Sequence, residues 1–131
     1  MHIDHIGIAV RDLESAISTY ETILNSTCNK REIVESEKVE TAFFETGESK
    51  VELLGATSSD SVIAKYVEKK GEGLHHVAFE VENIRAELER LREEGFTVLN
   101  EQPKKGADNK LVAFIHPKDN CGVLVELCQS V

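Results

Sequence analysis

Four side chains at matched positions in two halves of the chain could together bind a metal ion. His5 and His76 each lie in a strand-like run, while Glu52 and Glu126 lie in strand-like runs near the ends of the two halves. Two neutral imidazoles and two carboxylates suit an octahedral divalent ion that keeps two positions open for water. The residue types therefore predict a site for Co²⁺, Mn²⁺, Ni²⁺, Fe²⁺ or Zn²⁺.

The positions match because the sequence contains an internal repeat. Residues 4–13 resemble residues 75–84, and the shift of 71 residues brings His5 onto His76. Near the end of each half, residues 51–54 resemble residues 125–128 at a shift of 74, which brings Glu52 onto Glu126. Because an internal repeat indicates that one structural unit occurs twice, the two halves are expected to fold alike.

Each half has the pattern of a strand, a helix and three further strands. The predicted fold is therefore α+β, with two βαβββ modules that form a curled mixed sheet around a metal site. The modules span about 1–58 and about 72–131, and a helix over about 59–70 joins them within a single domain, 1–131. Asp12 and Asn83 are the predicted N-caps of the helices inside the modules.

Strand alternation predicts that the four candidate ligands share a face. Side chains in a strand point alternately to its two faces, so a polar residue between two core residues lies on the opposite face from them. His5, His76, Glu52 and Glu126 are all predicted on the face away from the helices. Three small residues on the same face would leave space above it: Gly7, Ala9 and Ala78.

Composition excludes several classes of function. The 131 residues include 15 Lys and Arg against 24 Asp and Glu, and the net charge of −9 argues against general binding to nucleic acid or membranes. Three cysteines without a C-x-x-C pair do not form a disulfide framework or a zinc finger. The sequence contains no membrane-length apolar run, and a strand-like pattern begins close to Met1. We therefore expect a cytoplasmic protein without a leader.

Several segments are more specific and resemble a known family. They are residues 73–79 (GLHHVAF), 103–107 (PKKGA), 116–118 (HPK) and 122–127 (GVLVEL). Together with the paired modules, they are similar to the methylmalonyl-CoA epimerase family of the vicinal-oxygen-chelate superfamily, which includes the glyoxalases, the bleomycin resistance proteins and the dioxygenases.

The resemblance implies an activity, a cofactor and an assembly. The expected reaction interconverts (2R)- and (2S)-methylmalonyl-CoA by removing and returning a proton at carbon 2, through a metal-stabilised enolate. The implied ligands are His5, Glu52, His76 and Glu126, with Co²⁺ as the first choice of ion and Mn²⁺, Ni²⁺, Fe²⁺ or Zn²⁺ as alternatives. The partners implied are an acyl-CoA substrate and a second copy of the chain in a homodimer, without nucleic acid or membrane.

Glu40 and Glu126 are the predicted pair of bases. The family implicates a glutamate at the start of the strand before the hairpin, which is Glu40 in this sequence. Alternation groups Glu40 with Ala42 and Phe44, and the repeat has Leu111 at the equivalent position. The remaining interpretation of Glu40 is an ordinary charged strand end.

A concentrated basic stretch provides candidates for binding the CoA phosphates. Its members are Lys104, Lys105, Lys110 and Lys118. Each could also be a solvated surface residue.

Two other functions remain open on the same fold. A glyoxalase I-type lactoylglutathione lyase can use the same four ligands, although such enzymes usually have an Asp-Pro-Asp-Gly turn where this chain has residues 116–118. A metal-free small-molecule-binding protein would normally have lost several of the ligands. An extradiol dioxygenase needs only two His and one Glu, so Glu52 argues against it.

Overall fold

The computed structural model describes residues 1–131, and its elements follow the order predicted for two βαβββ modules. The first module consists of β1 (His2–Val10), α1 (Leu13–Leu24), β2 (Lys30–Val34), β3 (Val39–Glu45) and β4 (Lys50–Ala56). After α2 (Val62–Lys70), the second consists of β5 (Gly73–Glu80), α3 (Ile84–Glu93), β6 (Lys104–Lys105), β7 (Lys110–Ile115) and β8 (Val125–Ser130). This order, with both parallel and antiparallel strand pairs, confirms the predicted α+β fold class.

The chain divides into two compact units, and the division falls inside β1 and β5. One unit consists of Met1–His5 with His76–Val131, and the other consists of Ile6–His75. We call them the 1–5/76–131 unit and the 6–75 unit. No helix in either is both long enough and apolar enough to cross a membrane.

In the 6–75 unit, β3 pairs with β2 and with β4, in both cases antiparallel. The β3–β4 register places Phe43 opposite Glu52 and Ala42 opposite Leu53. Ala42 and Leu53 are fully buried in a cluster packed beneath the apolar residues of α1. Because opposite residues of paired strands share a face, Glu52 lies on the face of β4 away from α1.

In the 1–5/76–131 unit, the strands follow the order β5-β8-β7-β6. β5 and β8 are parallel, and the other two pairs are antiparallel. The core of this unit forms where α3 packs Ile84 and Leu88 against the sheet, and these side chains are 0% and 1% exposed.

The helices α1 and α3 begin directly after their predicted N-cap residues, Asp12 and Asn83. The Asp12 carboxylate accepts a hydrogen bond from the Ser15 N–H, and the Asn83 side chain accepts one from the Ala86 N–H. Each cap satisfies a backbone donor that has no partner within the helix. Near the end of α1, Leu24 packs against the cluster beneath the helix, whereas Ile23 is 64% exposed.

Candidate metal centre

Three of the predicted ligands converge inside the 1–5/76–131 unit. His5 on β1, His76 on β5 and Glu126 on β8 are each 5–6% exposed. The Nε2 atoms of the two histidines are 3.0 Å apart. The Glu126 carboxylate places Oε1 3.3 Å from Nε2 of His76 and Oε2 3.7 Å from Nε2 of His5.

These separations fit a common metal ion. Ligand atoms at about 2.0–2.2 Å from a divalent ion, at right angles around it, lie about 3 Å from one another. All three side chains direct a nitrogen or a carboxylate oxygen to one point, and these atoms lie within 4.8 Å of one another. The donor set of two imidazoles and a carboxylate is one that divalent transition ions accept. The residues present therefore fit the predicted metal.

Strand pairing explains the convergence. The parallel register sets Ala78 beside Glu126, and the antiparallel register sets Phe114 on the other side of Glu126. Ala78 is two residues from His76 and on the same face, where its small side chain leaves room. The Phe114 ring meets the His76 ring edge to face, with centroids 5.7 Å apart. Packing of this kind restricts the orientation of His76.

A second set of polar residues contacts His5 at Nδ1, the ring nitrogen that does not face His76. Nδ1 of His5 is 2.6 Å from Oδ2 of Asp4, and Nζ of Lys110 donates to Oδ1 of Asp4 at 2.8 Å. Lys110 also donates to Glu80 at 3.0 Å, and Ser130 donates to the same Glu80 oxygen. Asp4 is 3% exposed and Lys110 is 8% exposed, so this ion pair is buried.

The buried pair is ionised on both sides. Burial alone would raise the pKa of Asp4, but hydrogen bonds from His5 and Lys110 outweigh it and hold that pKa well below its usual range. Burial alone would lower the pKa of Lys110, but its bonds to Asp4 and Glu80 raise it above its usual range. An ionised Asp4 can only accept, so Nδ1 of His5 carries the hydrogen of that bond.

Glu52 lies in the 6–75 unit. It is 5% exposed on β4, opposite Phe43, and faces away from α1 as predicted. Its role as a ligand stays a prediction.

Glu40 does not lie where its predicted role as a base requires. It lies opposite Gly55, on the face of β3 that Ala42 shares, which is the face packed against α1. Its carboxylate accepts a hydrogen bond from Nε of Arg31 at 2.9 Å. Glu40 is therefore on the opposite face from Glu52, and its charge is matched by an arginine.

The four predicted phosphate-binding lysines have different surroundings. Lys110 is buried and bonded to two carboxylates, so the structure contradicts its predicted contact with CoA. Lys105 and Lys118 are exposed. Lys104 on β6 is half-buried, and burial lowers its pKa although the Glu126 charge acts in the opposite direction.

Sequence reasoning missed Asp4. Two signals could have found it. Asp4 directly precedes a predicted ligand, and the repeat places a histidine, His75, at the equivalent position of the other half. Acidic side chains often hold the second ring nitrogen of a metal-binding histidine.

Comparison with known proteins identifies similar chains over nearly the full length. Residues 4–114 match the model of the glyoxalase/bleomycin resistance protein/dioxygenase superfamily. The chain is 40% identical to the mitochondrial methylmalonyl-CoA epimerase of Homo sapiens over 129 residues, covering 98% of this chain and 73% of that protein. It is also 40% identical to an ethylmalonyl-CoA/methylmalonyl-CoA epimerase of Cereibacter sphaeroides, covering 97% and 96%.

Solved structures agree with these relatives. A variant of Streptomyces coelicolor methylmalonyl-CoA epimerase in complex with 2-nitronate-propionyl-CoA superposes with a TM-score of 0.95 at 35% identity. The superposition covers 100% of this chain and 95% of that one.

Proposed function

Because the chain belongs to the glyoxalase/bleomycin resistance protein/dioxygenase superfamily, we propose that it is an epimerase acting on methylmalonyl-CoA, as its named relatives are. Membership confirms the resemblance found in the sequence. The observation that carries the proposal is the buried cluster of His5, His76 and Glu126, in a chain similar to epimerases over nearly its whole length.

The cluster supplies two of the parts that epimerisation at carbon 2 needs, a site for a divalent ion and a carboxylate that can accept the proton; the return of a proton to the opposite face of carbon 2 needs a second group outside the cluster. The hydrogen to be removed lies between a thioester and a carboxylate, and a divalent ion bound at this site would supply Lewis-acid polarisation of the thioester carbonyl. His5, His76 and Glu126 would hold that ion. The Glu126 carboxylate, with two oxygens at the cluster, is also our proposed base, which accepts the proton from carbon 2.

Other parts of the proposal concern binding and context. Because Lys110 is bonded to Asp4 and Glu80, the proposed contacts for the anionic CoA tail are the other three lysines, Lys104, Lys105 and Lys118. Glu52 stays the predicted fourth ligand from the sequence. Co²⁺ as the ion, a homodimer and a cytoplasmic location also stay predictions.

Deuterium exchange tests the proposal. The protein is stripped with chelator, reloaded with Co²⁺, and incubated with (2R)-methylmalonyl-CoA in D₂O while mass spectrometry follows deuterium at carbon 2. We expect incorporation that depends on both protein and metal, together with formation of the (2S) form. The matched variant His76→Ala should lose this activity.

A second substrate separates the alternatives. The same preparations are given the hemithioacetal of methylglyoxal and glutathione. Turnover of that substrate, without deuterium exchange at carbon 2 of methylmalonyl-CoA, would show that the protein is a lactoylglutathione lyase and not an epimerase. No metal uptake and no exchange would favour the metal-free binding protein.

A further inference from the structure

We propose that Asp4 and Lys110 are positioning residues that fix the tautomer and ring orientation of His5 for metal binding. We call this pair the Asp4–Lys110 relay. The inference rests on the proposed metal centre. The family resemblance did not assign Asp4 or Lys110 a role in positioning a ligand.

Hydrogen bonds continue from the ligand His5 through the relay to Ser130, the last residue of β8. His5 donates from Nδ1 to Asp4 at 2.6 Å, and Lys110 donates to the other Asp4 oxygen at 2.8 Å. Lys110 is anchored in turn by Glu80 at 3.0 Å, and Ser130 donates to Glu80 at 2.5 Å. Both oxygens of Asp4 are therefore engaged, and the carboxylate has a single orientation in which to receive the histidine.

The fold does not require charges at these positions. A shift of 71 residues aligns Lys110 with Val39 and Glu80 with Ala9. In the 6–75 unit, Val39 and Ala9 are buried in an apolar cluster with Leu54. The 6–75 unit thus has apolar residues where the 1–5/76–131 unit has the bonded pair of Lys110 and Glu80. Because replacing a buried ion pair by apolar residues is often neutral or stabilising, stability alone gives little reason for these charges.

The positioning of His5 explains why charged residues occupy these positions. A neutral imidazole has one nitrogen with hydrogen and one with a lone pair, and only the lone pair can bind a metal. By accepting from Nδ1, Asp4 leaves the lone pair on Nε2, the atom that lies 3.0 Å from Nε2 of His76. Lys110 holds the Asp4 carboxylate in place by donating to its other oxygen at 2.8 Å. Removing such outer partners typically costs about 10–100-fold in metal affinity.

The test compares three variants in the full-length protein. Asp4→Asn keeps the shape and removes the charge, Lys110→Met removes the anchor, and the double variant removes both. Matched controls are Glu82→Gln and Lys69→Met, which change exposed residues. Circular dichroism and urea unfolding identify any variant that fails to fold. The double variant leaves no unpaired charge between Asp4 and Lys110, so it keeps the test open if a single variant unfolds.

Two readouts do not depend on activity. Long-range ¹H–¹⁵N spectra of the metal-free protein report the tautomer of His5, whose signals are assigned by their loss in His5→Gln. Competition titration with a chromophoric chelator gives the dissociation constant for Co²⁺. We expect the tautomer with hydrogen on Nδ1 in the unmodified protein and a mixture in Asp4→Asn. Affinity should fall about 10–100-fold in Asp4→Asn, and the double variant should be no weaker because Lys110 acts through Asp4.

The outcomes separate this inference from the proposed function. If Asp4→Asn keeps the tautomer and binds Co²⁺ within about twofold of the unmodified protein, the relay has no positioning role, although the metal centre stands. If Asp4→Asn and Lys110→Met each lower the Co²⁺ affinity and the two factors multiply in the double variant, the two residues act independently, and the relay is also overturned. If the unmodified protein binds no divalent ion, the metal centre fails and the inference fails with it.

Discussion

Replacing Glu126 by glutamine separates its two proposed roles. The carboxylate lies 3.3 Å from Nε2 of His76 and 3.7 Å from Nε2 of His5, and β8 is held by hydrogen bonds to strands on both sides. Glutamine keeps the size of the side chain and removes its charge and basicity. The fold should therefore survive, while metal affinity and proton abstraction both fall.

The two losses can be measured one at a time. Co²⁺ affinity is determined first, and deuterium exchange at carbon 2 is then followed at an ion concentration that saturates each protein. Because a positioned base typically contributes about 10²–10⁴-fold, exchange by the saturated Glu126→Gln protein should fall by that factor. This corresponds to roughly 3–5 kcal/mol in the activation free energy.

A matched variant tests the same change of charge elsewhere. Glu82→Gln alters an exposed glutamate in the same unit and should change neither affinity nor exchange. If saturated Glu126→Gln exchanges at more than about a tenth of the unmodified rate, Glu126 is not the base. Its geometry would then support only the role of a ligand.

Three further predictions concern stability and use urea unfolding of the metal-free protein. Burial lowers the pKa of His75 to about 4. The unfolded chain therefore binds the proton more readily, and roughly 3 kcal/mol should be lost as the pH falls from about 6.5 to about 4. His75→Gln should remove this part of the acid sensitivity, and an unchanged pH profile would contradict it. Asn83→Ala removes the cap of α3 and should cost about 1 kcal/mol, whereas Asn83→Ser should restore most of it. Leu88→Ala, at a side chain 1% exposed, should cost about 2–5 kcal/mol; a cost no greater than that of Leu99→Ala, at a half-exposed position, would be inconsistent with its place in the core.

Local periodicity was sufficient to predict much of the fold and part of the site. Apolar alternation and the repeat together placed His5, His76 and Glu126 on strands, and the structure brings these three together. Caps such as Asp12 could also be predicted, because a cap and its partner lie only three residues apart. These features depend on residues that are neighbours in the chain.

Features that depend on distant partners were not predictable in the same way. Lys110 is 106 residues from Asp4, so a basic stretch in the sequence gave no sign that one of its members is buried in an ion pair. Alternation correctly grouped Glu40 with Ala42, but the face that receives α1 becomes certain only from the strand register and the packing of Ala42 beneath that helix.

The internal repeat is most informative where its two copies differ. It places ligands His5 and His76 at equivalent positions, yet the preceding residues are Asp4 in one half and His75 in the other. Asp4 is a charged partner of its neighbouring ligand, whereas the ring of His75 packs against Tyr66, and its burial favours the neutral form. Substitution of Asp4 should therefore change metal binding through His5, while substitution of His75 should change mainly the stability of the 6–75 unit. Equivalent positions in the repeat thus predict where the ligands lie, and the differences beside them indicate which ligand is held by a dedicated partner.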